Sequence, residues 1–145
     1  MEKFSVEITA TWDDIDMNGH VRNTAYSEYA IHGRIAFFAE QGLPPQEFTD
    51  RGLGPVLLRE ELIYKREIYM LEKIRVSCEM KRASRDFRKF TFYQEIFKEN
   101  GKLAAQVTVD WVWIDMEKRR AVSPPEDLQK RCSEFLRSQD FSWWE

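Results

Sequence analysis

Apolar and polar residues alternate with a period of two along several stretches of this chain, which is the pattern of half-buried β-strands. The clearest stretches are residues 4–12, 74–81, 90–96 and 103–113. A longer and less regular apolar stretch covers residues 56–68. Short polar turns with the sequences ASRDF and KENGK separate the last three regular stretches. These three are therefore predicted to form an antiparallel meander.

A helical pattern follows the first predicted strand. Asn23 is expected to cap this helix and Gly42 to end it. One continuous face carries mostly apolar or small residues: Ala25, Tyr26, Tyr29, Ala30, Gly33, Ala36 and Phe37. The opposite side mixes polar residues such as Arg34 with apolar ones such as Phe38, so the helix is predicted to be buried on more than one side. Gly33 indicates close packing, because glycine costs a helix about 1 kcal/mol relative to alanine.

The last part of the chain predicts a short helix. Ser123 and Glu126 have the spacing of a capping box, and prolines stand between them. An apolar stripe follows at helical spacing: Leu128, Cys132, Phe135 and Leu136. The final SWWE is expected to be exposed. The predicted order is thus a strand, a long helix, four strands and a short helix, which is an α+β arrangement in one domain covering residues 1–145.

Composition narrows the class of protein. The chain has 145 residues, of which 43% are hydrophobic and 32% charged, and this suits a soluble globular protein. Its net charge of −3 argues against a general nucleic-acid binder. The two cysteines form no C-x-x-C pair, which fits a reducing compartment. Neither a signal peptide nor an apolar run of membrane-spanning length is apparent, so we expect a cytoplasmic protein that is not bound to a membrane.

The segment between the first strand and the long helix concentrates the candidate chemistry. The unpaired N–H groups of residues 22–24 at the helix start favour negative charge and could hold an oxyanion. Gly19 permits close approach of a ligand to the backbone. A carboxylate at Asp16 beside such a site can act as a nucleophile or as a general base, while Asn18 and His20 can orient it or a water molecule. The same residues are also typical of turns and helix caps, so the pattern alone leaves a structural role equally open.

The segment DIDMNGHVRNTAYSEY, residues 14–29, resembles the signature of hotdog-fold thioesterases. In the 4-hydroxybenzoyl-CoA branch an Asp-x-Asp-x-x-Gly segment leads into the central helix, and acyl-ACP thioesterases have a similar Asp-x-Asp-x-Asn-x-His-Val-Asn-Asn run. Arg22 replaces the first asparagine of that last pair. GLPP, residues 42–45, also resembles the helix exit of the first branch. The resemblance implies an antiparallel sheet wrapped around one long central helix over essentially the whole chain.

Residue roles follow from the resemblance by position. It implies that Asp16 is the catalytic carboxylate and that the N–H group near Asn23 polarises the thioester carbonyl. Asn18 and His20 match residues with supporting catalytic roles. A later glutamate of the acyl-ACP enzymes matches Glu67, which we interpret instead as a solvated charge on a strand. Three further residues of the motif are expected to contact the substrate: Gly19, Val21 and Thr24.

A basic turn at residues 81–89 is a second candidate binding element. Its arginines could hold the phosphates of coenzyme A or an acidic carrier protein. The resemblance supports this assignment, because relatives in the hydroxybenzoyl-CoA branch bind the nucleotide at this hairpin. An ordinary solvated turn is the alternative. The three candidate arginines are Arg82, Arg85 and Arg88.

The predicted function is hydrolysis of acyl-thioesters, with acyl-CoA favoured over acyl-ACP. No metal and no bound cofactor is expected, since coenzyme A enters as part of the substrate. The resemblance implies a homodimer with its active sites at the subunit interface, and a homotetramer stays open. Two alternatives remain: a hydratase or dehydratase acting on enoyl or 3-hydroxyacyl thioesters, and a non-catalytic acyl-binding module.

Overall fold

The computed structural model describes residues 3–144, and within them the chain forms three helices and eight strands. The helices are α1 (Asn23–Glu40), α2 (Pro45–Arg51) and α3 (Glu126–Ser133). The strands are β1 (Ser5–Thr9), β2 (Leu53–Tyr64), β3 (Lys73–Ser77), β4 (Glu79–Ala83), β5 (Lys89–Phe97), β6 (Leu103–Asp115), β7 (Arg120–Ala121) and β8 (Arg137–Trp143). That one domain covers residues 1–145 stays a prediction.

These strands form one curled sheet. Its antiparallel centre runs β2–β6–β5, and the predicted meander of β4, β5 and β6 is confirmed. Both β3 and β4 pair with the free edge of β5, one after the other, with the break between them at Cys78. Beyond them lie β1, antiparallel to β3, and β8, parallel to β4. The short β7 pairs with the end of β6.

The helix α1 lies across the inner face of this sheet. Its Gly33 approaches β3 and β5 so closely that an added Cβ would lie 2.6 Å from Val76 Cγ1 and 2.9 Å from Gln94 Nε2. Further along α1, the ring of Phe37 packs edge-on against that of Phe92, with 5.2 Å between the ring centroids. The close approach predicted from Gly33 is confirmed, and so is the α+β class with one long helix against an antiparallel sheet.

The alternating patterns of β3 to β6 also predict the core correctly. Most side chains on the predicted inner face are at most 1% exposed, while Leu103 and Trp111 on the same face are only partly buried. The fully buried ones are Ile74, Val76, Cys78, Met80, Phe90, Phe92, Ile96, Ala105, Val107, Val109 and Trp113. Burial in an apolar environment raises the pKa of the Cys78 thiol well above its ordinary value. These residues therefore behave as packing residues, as the sequence indicates.

The first strand is shorter than predicted. Residues 10–12 continue the alternation, but Ala10 already pairs with the loop before β3, since its N–H donates to the carbonyl of Glu72. A 3-10 turn then covers Trp12–Asp14, and it leaves Trp12 79% exposed. The prediction that Trp12 faces the core is wrong, because the chain turns away from the sheet before reaching it.

The helix α1 is buried over a wider face than its stripe predicts. Arg34 is only 3% exposed although it was placed on the opposite side, and Phe38 is buried as well. The Arg34 guanidinium donates to Gln94 Oε1 (3.0 Å) and lies 5.1 Å from the ring centroid of Trp111. Burial lowers the pKa of Arg34. The sheet therefore covers α1 on the Arg34 side as well as on the predicted stripe, which confirms burial on more than one side, while Ile31 and Ile35 stay exposed.

Three predictions at the ends of elements need correction. The residue that caps α1 is Arg22, so Asn23 is the first helical residue. Ser123 does not cap α3; its hydroxyl donates to the Asp86 carboxylate at 2.5 Å, and the helix begins at Glu126. The tail is not a free end, because residues 137–143 form β8; Glu145 lies outside the described residues. The sequence interpretation also missed α2.

Candidate active site

The segment between β1 and α1 folds into a small closed hairpin. Ile15 and Val21 form an isolated antiparallel bridge. Inside it, the Asp16 N–H donates to the His20 carbonyl (2.8 Å), and the Gly19 N–H donates to the Asp16 carbonyl (3.1 Å). Gly19 has a φ of +80°, which a residue with a side chain rarely adopts. The hairpin turns Asp16 and His20 toward the start of α1.

Asp14 anchors this hairpin to α1. Its side chain is buried, and Oδ2 accepts hydrogen bonds from the Tyr29 hydroxyl (2.8 Å) and the Thr11 N–H (3.1 Å). Oδ1 lies 3.5 Å from the Arg22 guanidinium. Burial raises the pKa of Tyr29, and the hydrogen bond to Asp14 raises it further, so the phenol remains a donor. Asp14 is thus committed to structure.

Asp16, two residues later, has a different environment. Its side chain is exposed, and Oδ1 accepts hydrogen bonds from the backbone N–H groups of Asn18 (2.9 Å) and His20 (3.3 Å). Within residues 3–144 both hydrogen bonds of this carboxylate are made by Oδ1, which leaves Oδ2 for a water molecule or a substrate. The carboxylate therefore has a fixed orientation and a free oxygen.

Asp16 lines an open cleft of about 320 Å³ at the beginning of α1. The residues that line it are Asp16, His20, Val21, Asn23, Tyr26, Tyr64, Lys65, Arg66 and Glu67. Four of the predicted site residues therefore share one cleft: Asp16, His20, Val21 and Asn23. The helix start belongs to the same cleft, and its first turn carries N–H groups that have no partner within the helix.

Three other predicted residues lie outside the lining of the cleft. Asn18 and Gly19 are exposed at the tip of the hairpin, and their backbone groups close its turn. Thr24 is exposed on the first turn of α1, where its hydroxyl accepts a hydrogen bond from the Arg22 guanidinium (2.7 Å). Arg22 also pairs with Glu28 (3.0 Å), and this hydrogen bond raises the pKa of Arg22. The roles predicted for Asn18, Gly19 and Thr24 stay predictions.

A second carboxylate in the cleft comes from the chain after β2. Glu67 is exposed, as predicted, but it follows β2 instead of lying on the strand, and it lines the same cleft as Asp16 and His20. The residue after Glu67 is Ile68, whose carbonyl accepts a hydrogen bond from the Val21 N–H (2.8 Å). This hydrogen bond brings the segment after β2 beside the hairpin. A hydrogen bond from its own N–H lowers the pKa of Glu67, and the proximity of His20 lowers it further. The sequence YKRE at residues 64–67, which resembles the Tyr-Arg-Arg-Glu run around the later glutamate of the acyl-ACP enzymes, was the signal that could have identified Glu67.

Two tyrosines form the wall between α1 and β2. Their rings meet edge-on, with 5.1 Å between the centroids of Tyr26 and Tyr64. The Tyr64 hydroxyl donates to the Asn23 carbonyl (3.3 Å), and the Tyr26 hydroxyl donates to the Arg66 carbonyl (3.0 Å). Burial raises the pKa of Tyr26 to about 12, so it acts as a neutral donor. This wall fixes the start of α1 against β2.

The arginines of the β4–β5 hairpin lie elsewhere. Arg82 lines a separate cleft of about 250 Å³ on the outer face, and its guanidinium lies 4.9 Å from the ring centroid of Trp144. The Arg85 guanidinium lies 4.5 Å from the ring centroid of Trp143. Within one chain the structure does not bring these arginines to Asp16. Their predicted contact with phosphates stays untested.

Among residues 3–144, His, Cys, Asp and Glu side chains do not gather in groups of three that could hold a metal ion. In the same range, every helix is too short or too polar to cross a membrane.

One long helix packed against a curled antiparallel sheet is the arrangement of a hotdog fold, and the cleft with Asp16 lies at the start of that helix. Comparison with known families agrees, since residues 10–132 match the model of the thioesterase-like superfamily. The chain belongs to this superfamily.

Solved structures confirm the hotdog fold, and 218 chains match. A hypothetical protein from Staphylococcus aureus in complex with CoA has a TM-score of 0.86 and 21% identity, over 99% of this chain and 90% of that one. A DHNA-CoA thioesterase from the same organism has a TM-score of 0.83 and 20% identity, over 90% and 88%. A 1,4-dihydroxy-2-naphthoyl-CoA thioesterase from Synechocystis has a TM-score of 0.80 and 18% identity, over 92% and 97%. A search of curated proteins gives no match.

Proposed function

We propose that this protein hydrolyses acyl-CoA thioesters and that Asp16 is its catalytic carboxylate. The observation that carries the proposal is the free Oδ2 of Asp16 in the same cleft as the N-terminus of α1. Membership of the thioesterase-like superfamily supports thioester hydrolysis as the general reaction. The fold shared with a CoA-bound protein and with CoA thioesterases supports coenzyme A as the thiol.

In the proposed reaction the thioester carbonyl oxygen accepts hydrogen bonds from N–H groups near Asn23. In one route Asp16 takes a proton from water, the hydroxide adds to the carbonyl carbon, and the C–S bond breaks. The CoA thiolate then takes up this proton from Asp16, directly or through His20. In the other route Asp16 attacks the carbonyl carbon directly and the thiolate leaves. Water then hydrolyses the resulting anhydride to the free acid and the Asp16 carboxylate, and the thiolate takes up the remaining proton of that water. One oxyanion donor typically contributes about 10²–10³ in rate and a positioned acid or base about 10²–10⁴.

The hairpin arginines are proposed to bind the phosphates of coenzyme A or an acidic carrier protein. Several cations gather on this outer face, where Arg59 and Lys81 line the same cleft as Arg82. Reversing the charge of Arg85 and Arg88 together should raise KM for acyl-CoA more than it lowers kcat. An unchanged KM would refute this subsite while leaving the proposal for Asp16 intact.

We also propose a homodimer that places the two clefts near the subunit interface. The strand β2 pairs only with β6 among the described strands, so its other edge is open. Apolar side chains are exposed along this edge and on the neighbouring flank of α1: Ile31, Ile35, Val56, Leu57, Leu58 and Ile63. An open strand edge beside such a surface favours association with a second copy. A tetramer and a cytoplasmic location remain expectations.

The test is a thiol-release assay with short, long, branched and aromatic acyl-CoAs. The proposal expects release of free CoA by the wild-type protein and its loss in Asp16→Asn. An enoyl thioester that is hydrated without thiol release would favour the hydratase alternative. Tight acyl-CoA binding with no turnover of any substrate would favour the acyl-binding module.

A further inference from the structure

One aromatic side chain outside the predicted motif contacts the polar residues of the cleft. The ring of Tyr69 packs edge-on against the His20 imidazole, with 5.3 Å between the centroids and 71° between the planes. Its hydroxyl donates to Glu67 Oε1 at 3.4 Å. Tyr69 is therefore the residue that touches both the imidazole and the second carboxylate of the cleft.

Tyr69 is itself held by a second set of contacts. The ammonium group of Lys98 lies 4.9 Å from its ring centroid. Lys98 forms an ion pair with Glu72 (3.2 Å) in which the two side chains are only 11% and 12% exposed. The same carboxylate accepts the Tyr69 backbone N–H (3.1 Å), so one buried ion pair fixes both the ring and the main chain of Tyr69.

The backbone of this turn is constrained as well. Leu71 has a φ of +66°, an uncommon value for a leucine, and it persists only where the surroundings enforce it. The constraint comes from Ala10, whose carbonyl accepts the Leu71 N–H (2.7 Å), and from the Glu72 N–H, which closes the turn onto the Tyr69 carbonyl (3.1 Å). The turn that presents Tyr69 is therefore rigid, although the side chain is 48% exposed.

We propose that Tyr69 is a positioning residue: its ring holds the His20 imidazole in the orientation in which it passes the proton to the CoA thiolate, and the hydrogen bond of its hydroxyl to Glu67 anchors that ring. The proposal rests on the proposed thioesterase function. A partly exposed histidine would otherwise sample several rotamers, and each misdirected rotamer removes it from the cleft. Partial desolvation and the neighbouring Glu67 raise the pKa of Tyr69, so its hydroxyl remains protonated and donates throughout the neutral range.

Two substitutions separate the ring from the hydroxyl. Tyr69→Phe keeps the contact with His20 and removes the bond to Glu67, so kcat is expected to fall by no more than about threefold, in line with one weak hydrogen bond. Tyr69→Ala removes both contacts, and kcat is expected to fall about tenfold or more with KM changed by less than threefold. Met70→Ala is the matched control, because Met70 is equally exposed in the same turn, at 52%. It should leave both constants unchanged.

An NMR measurement gives a readout that needs no turnover. The chain has two histidines, so His32→Gln assigns their ring signals. The His20 ring signals should show a nuclear Overhauser contact with Tyr69 and should move toward the position of free histidine in Tyr69→Ala but not in Met70→Ala. Unmoved His20 signals, or a Tyr69→Ala protein with wild-type kcat, would overturn the positioning role.

The two failures are distinguishable. If the wild-type protein releases no thiol from any acyl-CoA, the proposed function fails, and the positioning role in that reaction fails with it, whatever the NMR result. If the wild-type protein is active and Tyr69→Ala is equally active, only the positioning role fails. A loss of kcat in Tyr69→Ala together with moved His20 signals supports both proposals.

Discussion

Replacement of Asp14 by alanine is expected to destabilise the protein strongly, whereas replacement of Asp16 by asparagine is not. Asp14 is 9% exposed and receives the Tyr29 hydroxyl, the Thr11 N–H and the charge of Arg22. Alanine leaves these groups without their acceptor. Asparagine at position 16 keeps an oxygen for the two backbone N–H groups that Asp16 receives now.

The magnitude follows from the number of bonds to a buried charge. A hydrogen bond to a charged group contributes about 1.5–3 kcal/mol, and bonds that share one carboxylate do not add fully. We therefore expect Asp14→Ala to lower the free energy of unfolding by about 3 kcal/mol, which lowers Tm by about 10 °C in a domain of this size. Tyr29→Phe removes one neutral donor and should cost about 1 kcal/mol.

Urea unfolding of the two single variants and of Asp14→Ala/Tyr29→Phe closes a double-mutant cycle. Asp14→Ala already leaves the Tyr29 hydroxyl without its acceptor, so the further loss of that hydroxyl in Tyr29→Phe removes no remaining hydrogen bond to Asp14. The double variant should therefore be little less stable than Asp14→Ala alone. Asp16→Asn serves as the control and should unfold within about 0.5 kcal/mol of the wild type. Equal stabilities of Asp14→Ala and Asp16→Asn would refute the separation of the two acids into a structural and a catalytic one.

Two further predictions concern the support of α1 and of the cleft. Gly33→Ala gains about 1 kcal/mol of helix propensity but forces a methyl group against Val76, which costs about 1–3 kcal/mol, and against Gln94 Nε2. Unfolding should show a net loss, and the loss should become smaller in a Val76→Ala background, where only the contact with Gln94 remains. Burial alone would raise the pKa of Glu72, but hydrogen bonds from two backbone N–H groups and from Lys98 outweigh it and hold this pKa below its ordinary value of 4.5. Because the folded pKa is depressed, the stabilisation by Glu72 is present above about pH 4.5 and is lost as pH falls through the folded value. Melting curves should show Glu72→Gln less stable than wild type by about 1–2 kcal/mol at pH 7, with the gap closing below pH 4; a gap that is constant with pH would contradict this assignment.

The hairpin and the start of α1 could be predicted from sequence because their geometry is local. Asp16, His20 and Asn23 lie within eight residues, and turn and helix signals in the same segment fix their mutual placement. Local patterns also predict the buried face of β3 to β6, since alternation with a period of two translates directly into one side of a sheet.

Long-range pairing explains what the sequence could not predict. Glu67 reaches the cleft because the chain after β2 pairs with Val21, more than forty residues earlier in the sequence. The sequence pattern places Arg34 on the solvent side of α1, but Gln94 and Trp111, which lie on two later strands, contact its guanidinium and bury it. The tail becomes β8 only because β4 offers a free edge, since its own seven residues show little alternation.

The most direct test of the central claim is the rate at which purified Asp16→Asn releases free CoA from the best acyl-CoA substrate of the wild-type protein, measured with a thiol reagent beside a melting curve of the same sample. If the Asp16 carboxylate attacks the thioester or activates water, Asp16→Asn should release CoA at least about a hundredfold more slowly than the wild type, with an unchanged Tm. A variant with unchanged Tm that releases CoA at the wild-type rate would contradict the account.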